Sequence, residues 1–213
     1  MTELPRFHGR VVPWVTPWSG APNLAEPLRL APHGRGIAYA DESVYDRTDD
    51  GVLLARGRGR RATDAAGHPL FEQMDPRRQR RATDRLLCQV CGHRPPPHRE
   101  GLLWVLADDA GRLPEGESTV TPPVCPPCAA LAVEQCPTLA RGHIAVRVRY
   151  PRPWGYAGIL HRPDLSQPHG LRSGDDPIRL PYGDPRLPWL LVDHAVTRLT
   201  GCTLAALNVR GAP

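Results

Sequence analysis

The sequence contains no lysine: all 27 of its basic residues are arginine, set against 22 acidic ones for a formal charge of +5. Arginine codons are GC-rich and lysine codons are not, so a high-GC genome accounts for much of this bias. Phenylalanine and methionine occur only twice each, which leaves the core to Leu, Val, Ala and five tryptophans. No apolar run reaches the roughly 20 residues a membrane-spanning helix needs, so no membrane span is expected. The opening MTELPRFHGR lacks the apolar stretch of a signal peptide. The expected compartment is the cytoplasm, where thiols stay reduced. Also missing are a Walker loop, a GxGxxG turn, a catalytic pair of carboxylates and a serine nucleophile elbow. The glycine-containing ARGRGRR run has no Lys-Ser/Thr to complete a phosphate loop.

What is abundant is punctuation. With 26 prolines and 20 glycines, the chain is expected to fold through many turns and short elements. The fold class this predicts is α+β, with short strands and few helices. RVV at 10–12 reads as a short strand leading into an irregular arm, packed through Trp14 and Trp18 or presenting them to a partner. GIAYADE (36–42) and GVLLARG (51–57) read as two strands of a hairpin, with DRTDDG as the turn. RRATD occurs at 60–64 and again at 80–84, too little repetition for a solenoid. DPRRQRRATDRLL starts with an Asp cap and a Pro at the first helical position, so a basic helix is predicted over 76–86. GLLWVLAD (101–108) predicts a strand and STVT (118–121) its return. CPPCAALAVEQCP predicts a helix stopped by Pro137. HIAVRVRY (143–150) alternates as a strand does, with WGYAGILHR (154–162) as its expected partner. Residues 161–181 read as loop. Leu187, Leu190, Leu191, His194, Val196 and Leu199 are near helical spacing, so a helix is predicted over 185–201, ended by Gly201. Asp108–Asp109 and Asp175–Asp176 read as turn residues, and the terminal NVRGAP is expected to fray. The parts so defined are a β-rich 1–75, a cysteine-bearing 76–140 and a strand-pair-plus-helix 141–213, expected to pack as one body.

The most specific signal is a pair of CxxC motifs. Cys88 and Cys91 lie in LLCQVCGHRPPPH, and Cys125 and Cys128 in VCPPC, with 33 residues between the pairs. A two-residue gap lets both sulfurs of a turn face one ion, and four thiolates complete a tetrahedral zinc shell. Gly92 suits the tight knuckle turn. The second pair opens a helix, whose N-terminus favours thiolate over thiol. One structural Zn2+ held by Cys88, Cys91, Cys125 and Cys128 is the expected cofactor. An iron–sulfur cluster, with Cys136 as a further ligand, is the less favoured alternative. Eight residues past Cys128, Cys136 sits about 80° round a continuing helix, which suits a packed thiol better than a ligand. Cys202 is expected in the core.

Knuckle, hairpin, then a helix carrying the last two ligands is an order in which residues 86–137, about a quarter of the chain, resemble treble-clef zinc fingers, including the zinc core of HNH-type nucleases. The resemblance implies a zinc scaffold. It does not carry over the nuclease chemistry, because that family places its catalytic histidines on the hairpin and residues 101–124 contain none. His93 lies too early, at the knuckle, as does His98, and His143 lies too late. A closed four-thiolate shell leaves no position for water, so no catalytic residue is assigned. CPPC at a helix start also resembles thioredoxin-like dithiols, but Pro122 and Pro123 interrupt the strand that should precede it, and Cys88 and Cys91 go unexplained. RFHGR, WSG, RQRR before CQVCG, and CPPC with its later CP resemble a pattern of actinobacterial proteins, which brings no activity with it.

The charge is uneven. Residues 54–99 hold 11 arginines against Asp64, Glu72, Asp75 and Asp84, a local net of +7. Arginine's planar, multi-donor head suits phosphate, and a basic segment beside a zinc site is a common nucleic-acid footprint. The expected contacts to DNA or RNA are Arg56, Arg58, Arg60, Arg61, Arg77, Arg78, Arg80, Arg81 and Arg85. The function expected first is therefore a zinc-stabilised protein that binds nucleic acid. The competing readings are a protein–protein assembly module with a purely structural zinc, using Trp14 and Trp18, and an enzyme, either a divergent nuclease or a CPPC thiol oxidoreductase.

Overall fold

The computed structural model describes residues 4–24, 27–58, 67–108, 111–167 and 169–207. Among them the architecture is α+β, with many short strands and three helices. The N-terminal arm forms β1 (Arg6–Phe7) and β2 (Arg10–Val11), which pair antiparallel. A second ribbon follows from β3 (Leu28–Leu30) and β4 (Ile37–Tyr39). Helix α1 (Pro76–Asp84) begins where the sequence signals it: Asp75 accepts from Arg78 N–H at 3.0 Å, with Pro76 in the first turn. Then come β5 (Leu102–Ala107), β6 (Ser118–Thr119), α2 (Pro126–Gln135), the short α3 (Pro137–Arg141) and β7 (His143–Val148). The C-terminal part holds β8 (Arg152–Pro163), β9 (Leu171–Pro181), β10 (Leu190–Arg198) and β11 (Cys202–Leu204).

Two sheets organise these elements. One is three-stranded, in the order β11-β7-β5, and the other four-stranded, in the order β6-β10-β8-β9. The three-stranded sheet is apolar on both faces. Leu103 and Val105 of β5, with Ala145 of β7, pack with Cys88, Cys128, Val90, Val124 and Ala129. Trp104, Ile144, Val146 and Val148 join Leu199 and Cys202 on the opposite side. Alternation along β5 therefore puts one face of this sheet directly beneath the cysteines. Trp104 is fully buried and still donates its indole N–H to Thr121 O at 2.9 Å.

Several sequence expectations are corrected here. Residues 185–201 are mostly strand rather than helix. A bulge between Val192 and His194 shifts the register of β10 against β8, so the burial phase jumps and the apolar pattern imitates helical spacing. Residues 161–181 are not loop, because they contain the end of β8 and all of β9. Strand β9 is a largely exposed edge, so it has little apolar alternation to read, and Asp175, Asp176 and Pro177 suit a guarded edge. Asp175 and Asp176 are accordingly strand residues, not turn residues. The WGYAGILHR segment pairs with β9 and β10, not with β7, whose two sides are taken by β5 and β11. The expected 36–42/51–57 hairpin does not form either: β4 pairs with β3, and the chain at Leu53–Ala55 lies along Val192 instead. Nor do β5 and STVT form a hairpin, since β6 pairs with β10. What returns to β5 is the chain just before the second cysteine pair, where Val124 N–H bonds Leu103 O at 2.8 Å.

Strand β8 lies between β10 and β9, and at Gly158 it runs close against β10. A Cβ at that position would run into the Leu191 carbonyl oxygen. The bulge of β10 beside it is held from α1. The fully buried Gln79 accepts from Ala195 N–H at 3.0 Å and donates to Ala195 O at 2.9 Å, replacing a missing strand partner. His194 lies next to this clamp, and burial pushes its pKa down to about 4, against the weaker pull of the Met74 backbone. Neutral His194 supports full stability above pH 6.5, the ordinary value. As pH falls below 6.5 the unfolded chain takes up a proton that the folded chain refuses until about 4, so stability is lost through that window. The expected loss between pH 6.5 and 5 is about 2 kcal/mol from this group. Urea unfolding at the two pH values should show it, and His194→Gln should remove that part of the slope.

Candidate metal centre

The first cysteine pair sits on a turn pinned from three sides. Cys88 N–H bonds His93 O and Gly92 N–H bonds Cys88 O, both at 2.8 Å. Gly92 adopts φ +74°, and a Cβ there would strike the Trp14 ring, so only glycine closes the knuckle at this spacing. On one flank Trp14 N–H and Val15 N–H bond Val90 O and Gln89 O. On the other, Gln89 N–H bonds Pro123 O at 3.0 Å. That last bond brings the second pair up against the first. Cys125 is the residue before α2, and Pro126 and Pro127 occupy its first turn, where no N–H is lost.

The four sulfurs of Cys88, Cys91, Cys125 and Cys128 all lie within 4.8 Å of one another. Cys91 Sγ and Cys125 Sγ are 3.9 Å apart. A tetrahedral shell with metal–sulfur bonds near 2.3 Å has sulfur–sulfur edges of about 3.8 Å, so this quartet has the dimensions to hold one metal ion. Cys88 and Cys128 are buried, and Cys91 and Cys125 are half-buried. The Cys128 and Cys88 thiols hydrogen-bond the Cys125 sulfur and pull its pKa down to about 4. Cys128 moves strongly the other way, holding its proton in the bonds to Cys125 and Cys88 and by burial. A first thiolate forms readily here, and further ones are opposed by like charge until a cation neutralises them.

Cys136 and Cys202 lie outside the quartet, as do His93 and His98. Cys136 caps the end of α2 and the start of α3. Cys202 is buried, and desolvation pushes its thiol up to about 11. No helix among the described residues is long and apolar enough to cross a membrane.

The nine arginines expected to contact nucleic acid divide into three groups. Four are internal ties. Arg56 pairs with Asp46 at 2.8 Å and Asp41 at 2.9 Å and lies over the Tyr39 ring. The bond to Arg56 also holds Asp46 down to about 2. Arg58 donates to Ser19 O and Ala21 O, and Arg78 to Trp14 O. Arg80 reaches the carbonyls of Ala55, Val192 and Asp193. Arg77, Arg81 and Arg85 form the second group and are exposed. Arg60 and Arg61 lie outside the described residues. These groups are indistinguishable in the sequence, because an arginine that caps carbonyls and one that faces water have the same letter. The clamp of Gln79 on Ala195 has no local signal either, since the two are 116 residues apart. Trp14 and Trp18 are half-buried rather than displayed.

Comparison with protein-family models, with curated proteins and with solved structures found no match.

Proposed function

We propose that this is a zinc-stabilised cytoplasmic protein that contacts nucleic-acid phosphates through the outer face of α1. Zinc is the metal that four thiolates in a closed tetrahedron suit best, and a turn followed by a helix N-terminus is how treble-clef sites supply them. The role of the ion is structural, since the shell has no open position.

The observation that carries the nucleic-acid reading is the stripe Arg77, Arg81 and Arg85. These residues recur at i, i+4 and i+8, so they share one helix face, and all three are exposed. Among the described residues none has a carboxylate partner within 4 Å. Arg85 continues into a groove that also holds Arg94, beside Asp84 and Pro95. The test is fluorescence anisotropy of labelled duplex DNA and single-stranded RNA at rising salt. Replacing Arg77, Arg81 and Arg85 with Ala should flatten the log–log salt slope on duplex DNA by about 3, one counterion per lost phosphate contact, and leave thermal stability unchanged. A wild-type protein that binds neither polymer at low salt would defeat this reading.

An assembly module with purely structural zinc is the second reading. Its supporting observation is the pair Val44 and Tyr45, which are 85% and 88% exposed on a surface turn.

A further inference from the structure

A recess of about 180 Å3 opens between the N-terminal arm, the knuckle and the helices α2 and α3. Its apolar walls include Val11, Val15, Met74, Val90, Leu131 and Leu139. An apolar cavity of about 150 Å3 is enough to take up benzene, so this one accommodates a single ring or a branched chain of similar bulk. Its polar lining is one-sided in charge. Arg10, Gln73, Gln89 and Gln135 contribute to it, and no Asp or Glu does. The guanidinium of Arg10 is stacked 3.9 Å from the centroid of Phe71, which also lines the recess. That contact fixes a cation at the edge of an apolar hole, and among the described residues Arg10 has no carboxylate within 4 Å. Gln135 accepts from Val11 N–H at 2.8 Å through Oε1, which leaves its amide N–H groups as donors.

We propose that this recess binds a small carboxylate with a single-ring aromatic body, the ring seated among the aliphatic walls and the carboxylate on Arg10. Both halves of the lining are needed to specify this class. The walls give ring burial without a polar partner inside the hole. Arg10, with carboxamide donors in the same lining, favours an anion over a cation or a neutral head. The site is separate from the sulfur quartet and from the α1 stripe, so it stands whether or not nucleic acid binds.

The test uses the metal-loaded full chain with phenylacetate and benzoate as probes, followed by NMR shifts and calorimetry. Toluene and benzamide serve as neutral controls. Saturable binding of a carboxylate probe is expected, weakened about tenfold or more in Arg10→Gln through loss of a charge-assisted contact. It should vanish in Ala132→Phe, which fills the recess from α2, with metal content and circular dichroism confirming that each variant is folded. Cys136 lines the same recess and is a free thiol, so an occupied site should also slow its alkylation, read by peptide mass spectrometry. Absence of saturable binding at millimolar probe would overturn the proposal. So would neutral controls binding as tightly as the carboxylates, or an Arg10→Gln variant that binds as well as wild type.

Discussion

Stripping the metal with a chelator is expected to unfold the cysteine-bearing half of the protein and to cost more stability than any single core substitution. The reason lies in what the quartet joins. Cys88 and Cys128 belong to the same apolar cluster as Val11 of the arm, Leu103 and Val105 of β5 and Ala129 of α2. The arm is tied to the knuckle by backbone bonds from Trp14 and Val15. Without the ion, four sulfurs converge within 4.8 Å with no cation to neutralise more than the first thiolate. Structural zinc sites contribute on the order of 10 kcal/mol to the folded state, comparable with the whole stability of an ordinary domain. Cys88→Ser should therefore behave like the chelated protein, and Cys202→Ser, remote from the quartet, should keep its metal. Native mass spectrometry should find one zinc per chain, and its removal should lower the thermal midpoint by at least 10 °C, from the roughly 2–4 °C per kcal/mol of a chain this size. A chelated protein with an unchanged cooperative transition would sink the structural-metal reading. Iron and labile sulfide in the purified protein would replace zinc with a cluster.

The quartet was legible in the sequence because its signal is local. Two residues between cysteines fix a turn, and helix-start chemistry at Cys125 fixes how the second turn is presented. Asp75 and Pro76 announced α1, and the alternation of HIAVRV announced β7, for the same reason. What could not be read is pairing. The choice of β10 over β5 as partner for Ser118–Thr119 is made by contacts some eighty residues away in the chain, and no turn chemistry encodes it. The bulge at Val192/His194 was worse than silent, because one inserted residue turned a strand's period into an apparent helix. The edge strand β9 hid behind its own polarity. In each case the missing information was tertiary: which face is covered, and by what.

The two kinds of arginine on α1 make the sharpest remaining prediction, because they lie within one turn of each other on different faces and have opposite consequences. Arg80→Ala is expected to destabilise the fold by about 3 kcal/mol. Its guanidinium donates to Val192 O at 3.0 Å and Asp193 O at 3.1 Å, at the bulge of β10, and to Ala55 O at 2.8 Å. Burial draws its pKa down, so its charge is retained at a desolvation cost that these carbonyls offset. Asp193, whose carboxyl burial pushes up, has Arg80 as the cation that opposes the shift. Truncation takes a donor from three carbonyls, of which Val192 O keeps Ala55 N–H, and removes the cation whose charge opposes the desolvation of the Asp193 carboxyl. Arg77→Ala and Arg81→Ala remove side chains that face solvent and should change stability by no more than about 0.5 kcal/mol. Denaturant unfolding of the three variants separates the roles without any ligand, and anisotropy then reverses the order: the outer pair should weaken phosphate binding. If Arg80→Ala proved as neutral as Arg77→Ala, α1 would not be the clamp on β10, and the charge of the segment would have to be reassigned from structure to surface. If the outer arginines proved the destabilising ones, the exposed stripe would lose its claim to be a binding face.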